Sequence, residues 1–187
     1  MPGFEDREGL WYIDAVVGEV LRWRPAGAAG VPHFTKVEGS YRGYRIPANS
    51  VVIPNHWSIT REKWVLGKGY DVERFVPERF VEMESGNGES RTPGFGYGRR
   101  ICPGRHVARN SLWIAIARLL WAFDVSREGV EVLDTKGTDG LVTKPLPFKC
   151  RFEPRGEWVR KVVKRECDRW GVDHYEMLDK IALDVLK

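Results

Sequence analysis

The segment Phe95-Gly96-Tyr97-Gly98-Arg99-Arg100-Ile101-Cys102-Pro103-Gly104 constrains this chain more than any other. Glycines at 94, 96, 98 and 104 loosen the backbone around a lone cysteine, and a long apolar stretch begins immediately afterwards. Val107, Ala108, Leu112, Ile116, Leu119 and Leu120 recur at helical spacing, which predicts a helix over 104–123. Trp113, Ala115, Ala117 and Trp121 leave little of its circumference polar, and a helix apolar nearly all round is expected to be buried. A cysteine at the mouth of such a helix suits a thiolate metal ligand. Free N–H groups at the helix start, and the positive end of the helix dipole, favour a negative sulfur. Pro103 has a fixed φ and no N–H, which suits the first helical position. The glycines would let the backbone approach a large flat ligand closely, and Arg99 and Arg100 offer guanidinium groups to an anionic edge. For an arbitrary cysteine the alternative is a buried structural residue at a glycine-rich turn.

The ten-residue string as a whole resembles the haem-binding signature of the cytochrome P450 monooxygenases, Phe-x-x-Gly-x-Arg-x-Cys-x-Gly. Phe95, Gly98, Arg100, Cys102 and Gly104 all match it. Further resemblances follow in the order that this family requires. Glu19-Val-Leu-Arg22 is similar to its Glu-x-x-Arg helix motif, within a helix expected over 10–24 and ended by Pro25. Spacing i, i+3 puts both side chains on one helix face, although an exposed pair of that kind is worth only ~0.3–0.5 kcal/mol. Pro77-Glu78-Arg79-Phe80 is similar to the segment whose arginine completes a buried triad with that pair. Leu21-Arg-Trp-Arg-Pro, Gly30-Val-Pro-His-Phe, Tyr41-Arg-Gly-Tyr-Arg-Ile-Pro and Asn55-His-Trp resemble stretches of fungal members.

The resemblance covers roughly residues 4–155 and carries specific implications. It implies an α+β, mainly helical fold, the C-terminal part of the cytochrome P450 fold with small β-sheets, in a partial domain over 1–155. Residues 156–187 would then be a charged helical extension. Cys102 would be the axial thiolate to the iron of haem b. Arg100 and His33 would hold propionates, with a satisfied loop histidine as the plainer reading of His33. Phe95 would pack beside the thiolate, with Gly98 and Gly104 shaping the loop. Glu19, Arg22 and Arg79 would form a structural triad that locks the segment leading to the cysteine. The family inserts one atom of dioxygen into a substrate C–H bond and releases the other as water. Its thiolate pushes electron density onto the iron and favours O–O cleavage. Partners would be a small organic substrate and an electron donor of the NADPH-cytochrome P450 reductase type. A basic face including Arg99 or Arg105 is the expected docking surface for the donor.

The chain also departs from the family pattern. The Ala/Gly-Gly-x-Asp/Glu-Thr motif of the long distal helix, which delivers protons to bound dioxygen, does not occur. Ala29-Gly30-Val-Pro-His is only a lookalike, since Pro32 makes it a poor helix interior. Asp-Pro landmarks expected between Trp57 and Pro77 are replaced by Lys63-Trp-Val-Leu-Gly-Lys-Gly-Tyr70. Full-length relatives are expected at the cytosolic face of the endoplasmic reticulum membrane. No signal peptide or transmembrane run is expected in these 187 residues, and the first fourteen already carry acids. A haem-thiolate monooxygenase is therefore the first reading. The second is a truncated, inactive P450-like fragment that binds haem weakly or not at all.

Charge and cysteine usage exclude other classes. The net charge is +4, but Lys and Arg are interspersed with Asp and Glu, so no nucleic-acid partner is expected. Three cysteines lie far apart, without a C-x-x-C pair or a His/Cys cluster, which argues against zinc and a disulfide framework. Elsewhere, Tyr44–Ile46 and Val51–Ile53 read as strands with a turn at Pro47-Ala48-Asn49, and a short helix is expected around Ser58–Trp64. Residues 72–98 read as irregular with an exposed patch at 84–92. Residues 124–152 read as strands and turns, and 157–187 as a charged amphipathic helix or helix pair hinged near Gly171. His56 and His174 are expected to face solvent, and His106 to be a surface or packing residue rather than a ligand. The eight tryptophans are expected to be core rather than cofactor contacts.

Overall fold

The computed structural model describes residues 1–62, 69–81, 93–127, 137–140 and 142–171. Trp64, the patch at 84–92 and the tail that carries His174 lie outside the described residues. By its contacts the chain divides into two compact units. One comprises Met1–Ile13, Asn110–Gly137 and Pro145–Lys187, the other Asp14–Arg109 and Thr138–Lys144.

Helix α1, Trp11–Trp23, ends just before Pro25, as its periodicity and that proline dictate. Its inward face is part apolar and part charged: Ile13, Ala15 and Val17 are buried, and so are Glu19 and Arg22. After it come β1 (His33–Phe34), β2 (Gly39–Tyr41), β3 (Tyr44–Ile46) and β4 (Val51–Val52). The turn expected at Pro47-Ala48-Asn49 lies between β3 and β4, at Ala48-Asn49. Across it the strands part company: β3 folds back on β2 and β4 pairs with β1, both antiparallel. The reason is local. Arg42 and Gly43 both take positive φ, 50° and 83°, which makes the two-residue turn that matches strand twist. Asn49 then swings the chain outward, its N–H donating to the Thr35 carbonyl at 2.8 Å.

Two one-turn helices follow, α2 (His56–Ile59) and α3 (Glu78–Val81). Asn55 caps α2, its side chain accepting from the Ser58 N–H at 3.0 Å. Helix α3 lies where the sequence reads as irregular, because four residues are too few to show a period. Short 3-10 turns at Pro93–Phe95 and Gly98–Arg100 lead into α4, Arg105–Ala122. Strands β5 (Phe123–Arg127) and β6 (Cys150–Pro154) form an antiparallel ribbon, and α5 (Glu157–Trp170) closes at Gly171 with φ 64°.

The first unit packs around Trp113, which is fully buried under the ring of Phe4 with centroids 5.9 Å apart. Trp121 meets Trp158 at 4.4 Å, Phe123 meets Phe152 at 5.9 Å, and Val159 of α5 is buried in the same unit. The expectation of a buried α4 is corrected. Trp113, Ala117 and Ala122 are covered, whereas Val107 is 71% exposed and Leu119 and Leu120 also face solvent. Cover comes residue by residue rather than along one face, since Leu120 is exposed two turns from the buried Trp113. The tryptophan expectation is corrected too, since Trp11, Trp57, Trp158 and Trp170 are all exposed.

Candidate functional site

The second unit is organised around a buried charge cluster. Helical spacing brings Glu19 and Arg22 to one face of α1, where Arg22 donates from Nε to Oε2 at 2.7 Å and from Nη2 to Oε1 at 2.9 Å. Arg79, on α3, places Nε 3.1 Å from the same Oε2. All three side chains have no exposure. Two guanidiniums against one carboxylate leave a buried excess of positive charge, which backbone oxygens absorb. Arg22 donates to the carbonyls of Val72 and Arg74 at 3.2 and 3.3 Å. Arg79 donates to Asp71, Arg74 and Val76 at 3.0, 3.2 and 3.2 Å. The Val76 N–H returns a bond to Glu19 Oε1 at 2.8 Å. Burial pushes the Arg79 guanidinium below its ordinary pKa, and the facing Glu19 carboxylate pulls it back up. The chain over 71–76 is thus strapped to α1 and α3.

One packing contact ties α1 to α3, and a second brings the cysteine loop to α1. Phe80 lies against Gly18 of α1 so closely that an added Cβ would stand 2.9 Å from its ring. Gly94, at the loop entry, would place a Cβ 3.8 Å from the Leu21 carbonyl. The loop is then fixed by its own backbone. Cys102 N–H donates to the Phe95 carbonyl at 2.8 Å, Ile101 N–H to Gly98 at 3.2 Å, and Arg105 N–H to Cys102 at 3.3 Å. Helix α4 starts after that turn: the Ala108 N–H donates to Gly104 at 3.0 Å, which makes Gly104 the cap. Pro103 therefore sits in the turn, not at the first helical position. Gly98 takes φ +55° with open space where a side chain would project, so the loop presents bare backbone there.

Cys102 is a free, exposed thiol, and Gly104 would place a Cβ 3.7 Å from its Sγ. Arg99 and Arg100 are exposed beside it, Arg105 and Phe95 half-buried. The donor set is one soft sulfur on a fixed loop at a helix start, open space over glycine, and guanidinium groups facing solvent. That set fits a thiolate-ligated flat cofactor with an anionic edge. His33 is exposed on β1 opposite Val52. Glu19, Arg22 and Arg79 are brought into direct contact, and Phe95 and Cys102 are joined through the backbone; no hydrogen bond or ion pair joins His33 to the loop among the described residues.

The expectation for His56 is overturned. It is 3% exposed, bonded through Nδ1 to the Gly27 carbonyl at 3.1 Å, and its ring meets Tyr97 of the cysteine loop edge-on. Sequence reasoning also misses the stack on Trp57, where the Arg61 guanidinium lies 3.4 Å from the ring centroid and Arg24 5.1 Å. Arg61 is lowered from its ordinary pKa by burial, with Glu73 opposing the shift through its bond at 3.2 Å. The signal for it in the sequence is the spacing of Trp57 and Arg61, i and i+4.

Comparison with known proteins identifies the family. Residues 1–152 match the family model described as Cytochrome P450. The chain is 37% identical to the cytochrome P450 monooxygenase FrzL of a Cladobotryum species, over 100% of this chain and 36% of that one. It is 40% identical to a cytochrome P450 monooxygenase of Armillaria gallica, over 91% of this chain and 35% of the relative. Among solved structures, a zebra fish cytochrome P450 crystallised with abiraterone superposes with a TM-score of 0.70 at 32% identity. That match covers 83% of this chain and 36% of the fish protein. The chain thus spans about a third of the length of the curated relatives it matches.

Proposed function

Because this chain belongs to the cytochrome P450 family, we propose that it forms the cysteine-bearing part of a haem-thiolate monooxygenase, with Cys102 as axial ligand to haem b. One observation carries the reading. The Cys102 thiol is free and exposed on a loop whose backbone is fixed by the Phe95 carbonyl at 2.8 Å. A ligand held in this way needs little reordering to meet a metal. When bound, the haem supplies dioxygen activation and the oxidation of an organic substrate, and the sulfur tunes its electronics.

The chain's own residues would then hold and orient the group. Arg100 would pair with a propionate, and His33 with another. Phe95 would pack beside the sulfur, and Gly98 and Gly104 would keep the approach clear of side chains. Glu19, Arg22 and Arg79 are structural in this reading, fixing the segment on which the loop rests. Electrons would arrive from a reductase-type donor at the face that includes Arg99 and Arg105. Residues 1–155 would be the partial P450 domain and 156–187 an extension of it. Among the described residues no helix is long and apolar enough to cross a membrane.

The deciding measurement is the absorption spectrum of the haem-loaded, reduced, carbon monoxide-treated chain beside Cys102→Ala. The expected result is a red-shifted Soret band in the parent that is absent from the variant. An identical band in both would remove Cys102 as ligand. A second reading, that these 187 residues alone take up haem weakly or not at all and do not turn over, is favoured by the apolar side chains of α4 left exposed, Val107, Leu119 and Leu120. Saturable uptake of one haem per chain would overturn it.

A further inference from the structure

His56 opens a four-residue helix, a position from which a side chain ordinarily reaches water, yet its imidazole is buried. Nδ1 lies 3.1 Å from the Gly27 carbonyl, so this nitrogen carries the proton and donates. Among the described residues Nε2, which is buried, has no hydrogen-bond partner. The ring meets Tyr97 edge-on, with centroids 5.6 Å apart and planes at 68°. It is also pressed on Gly30, where an added Cβ would stand 2.9 Å from Cε1 and 3.0 Å from Nε2. Backbone bonds hold the same turn, Gly30 N–H to Gly27 at 3.0 Å and Trp57 N–H to Ala28 at 2.9 Å. A buried nitrogen without a partner is costly, so an apolar side chain would serve better if filling space were the whole task.

The two segments that this ring touches both carry candidate cofactor-holding groups. His33 lies three residues beyond Gly30, and Arg100 and Cys102 lie three and five residues beyond Tyr97. We propose that His56 is a positioning residue of the cofactor site. Wedged between the Gly27–Gly30 turn and Tyr97, it sets the separation of the segment that bears His33 from the loop that bears Arg100 and Cys102. The inference rests on the reading of Cys102 as haem ligand, but the junction is a property of the polypeptide and is testable without haem. Two separate contacts start from one ring: the Nδ1 bond secures the turn, and the aromatic contact with Tyr97 secures the loop.

Each contact can be removed separately. His56→Asn keeps a donor near the Nδ1 position and loses the ring edge; His56→Phe keeps the edge and loses the donor; His56→Leu loses both. Amide hydrogen exchange of the full 187-residue chain without haem reads the result, with far-UV circular dichroism to establish folding. Leucine should speed exchange about tenfold over both 27–30 and 95–102, asparagine should protect only the first segment, and phenylalanine only the second. Wild-type exchange over 95–102 in His56→Leu, or full protection of both segments by asparagine, would overturn the proposal. Should the His56 variants fail to fold, Tyr97→Leu reaches the same contact from an exposed ring. It should speed exchange over 95–102 about threefold while 27–30 stays protected by the Nδ1 bond, and no change over 95–102 would equally overturn the proposal. With haem, the share of red-shifted carbon monoxide complex should fall several-fold in His56→Leu and be recovered by phenylalanine. If the parent chain takes up no haem, the reading of Cys102 fails, while the exchange result still decides the role of His56.

Discussion

Glu19 receives hydrogen bonds from Arg22 Nε and Nη2 and from the Val76 amide, and sits 3.1 Å from Arg79 Nε. Both oxygens are saturated, so the carboxylate can be neither rotated nor hydrated without breaking a bond. Glu19→Gln would leave two buried guanidiniums facing a neutral amide. Breaking a buried pair in this way costs about 3–5 kcal/mol, and the urea midpoint should fall accordingly. Glu38, which meets Arg45 at 2.6 Å in full view of solvent, is the control. Glu38→Gln should change stability by about 0–1 kcal/mol. Arg79→Lys should behave like the severe case, because an ammonium cannot reach Glu19 and the carbonyls of Asp71 and Arg74 together. The lowered Arg79 pKa has a definite sign. A base held less tightly protonated in the folded state lowers stability below its folded pKa, and the penalty fades as pH rises from there toward the ordinary arginine pKa. The penalty is therefore constant across neutral pH, and Arg79 itself confers no pH dependence there.

At the scale of elements, α1 and α3 are held by a glycine that a helix would ordinarily prefer to lose. Gly→Ala in an exposed helix interior stabilises by about 1 kcal/mol. Gly18→Ala should do the reverse, since its methyl group would stand 2.9 Å from the Phe80 ring. Overpacking of that kind costs about 1–3 kcal/mol, and thermal unfolding should register a lower midpoint. The double variant Gly18→Ala with Phe80→Leu should recover part of the loss, which would identify the contact rather than helix propensity as the cause. The same logic explains why the cysteine loop stays ordered with little side-chain packing of its own. Backbone bonds from Cys102 to Phe95 and from Ile101 to Gly98 close it into a compact turn, and α4 begins from its end.

For the whole molecule, the contrast lies between a well-satisfied charge cluster and apolar surface left open. Val107 is exposed near the start of α4, Leu119 and Leu120 near its end, and Trp170 stands 75% exposed at the end of α5. Apolar side chains left in water favour association where enough of them adjoin. The isolated chain should therefore self-associate with rising concentration in sedimentation velocity, and Leu119→Lys with Leu120→Lys should shift it toward monomer. A chain that stays monomeric at every concentration tested would show that α4 needs no further cover.

Local chemistry made much of this protein legible. The string from Phe95 to Gly104, the Glu19–Arg22 spacing and Arg79 identify the family and name the buried cluster, because the motif residues stand at fixed spacings along the chain. Helix α1 and the charged α5 follow from period and from the breakers Pro25 and Gly171. Other features depend on what each segment meets. The pairing of β3 with β2 turned on two positive φ angles at Arg42 and Gly43, which residue type alone does not impose. The exposure of α4 depended on which of its residues found a partner. The burial of His56 arose because the Gly27–Gly30 turn and Tyr97, distant along the chain, close over one ring. Periodicity and motif spacing are properties of neighbours in sequence, whereas burial and ring contacts are decided by neighbours in space.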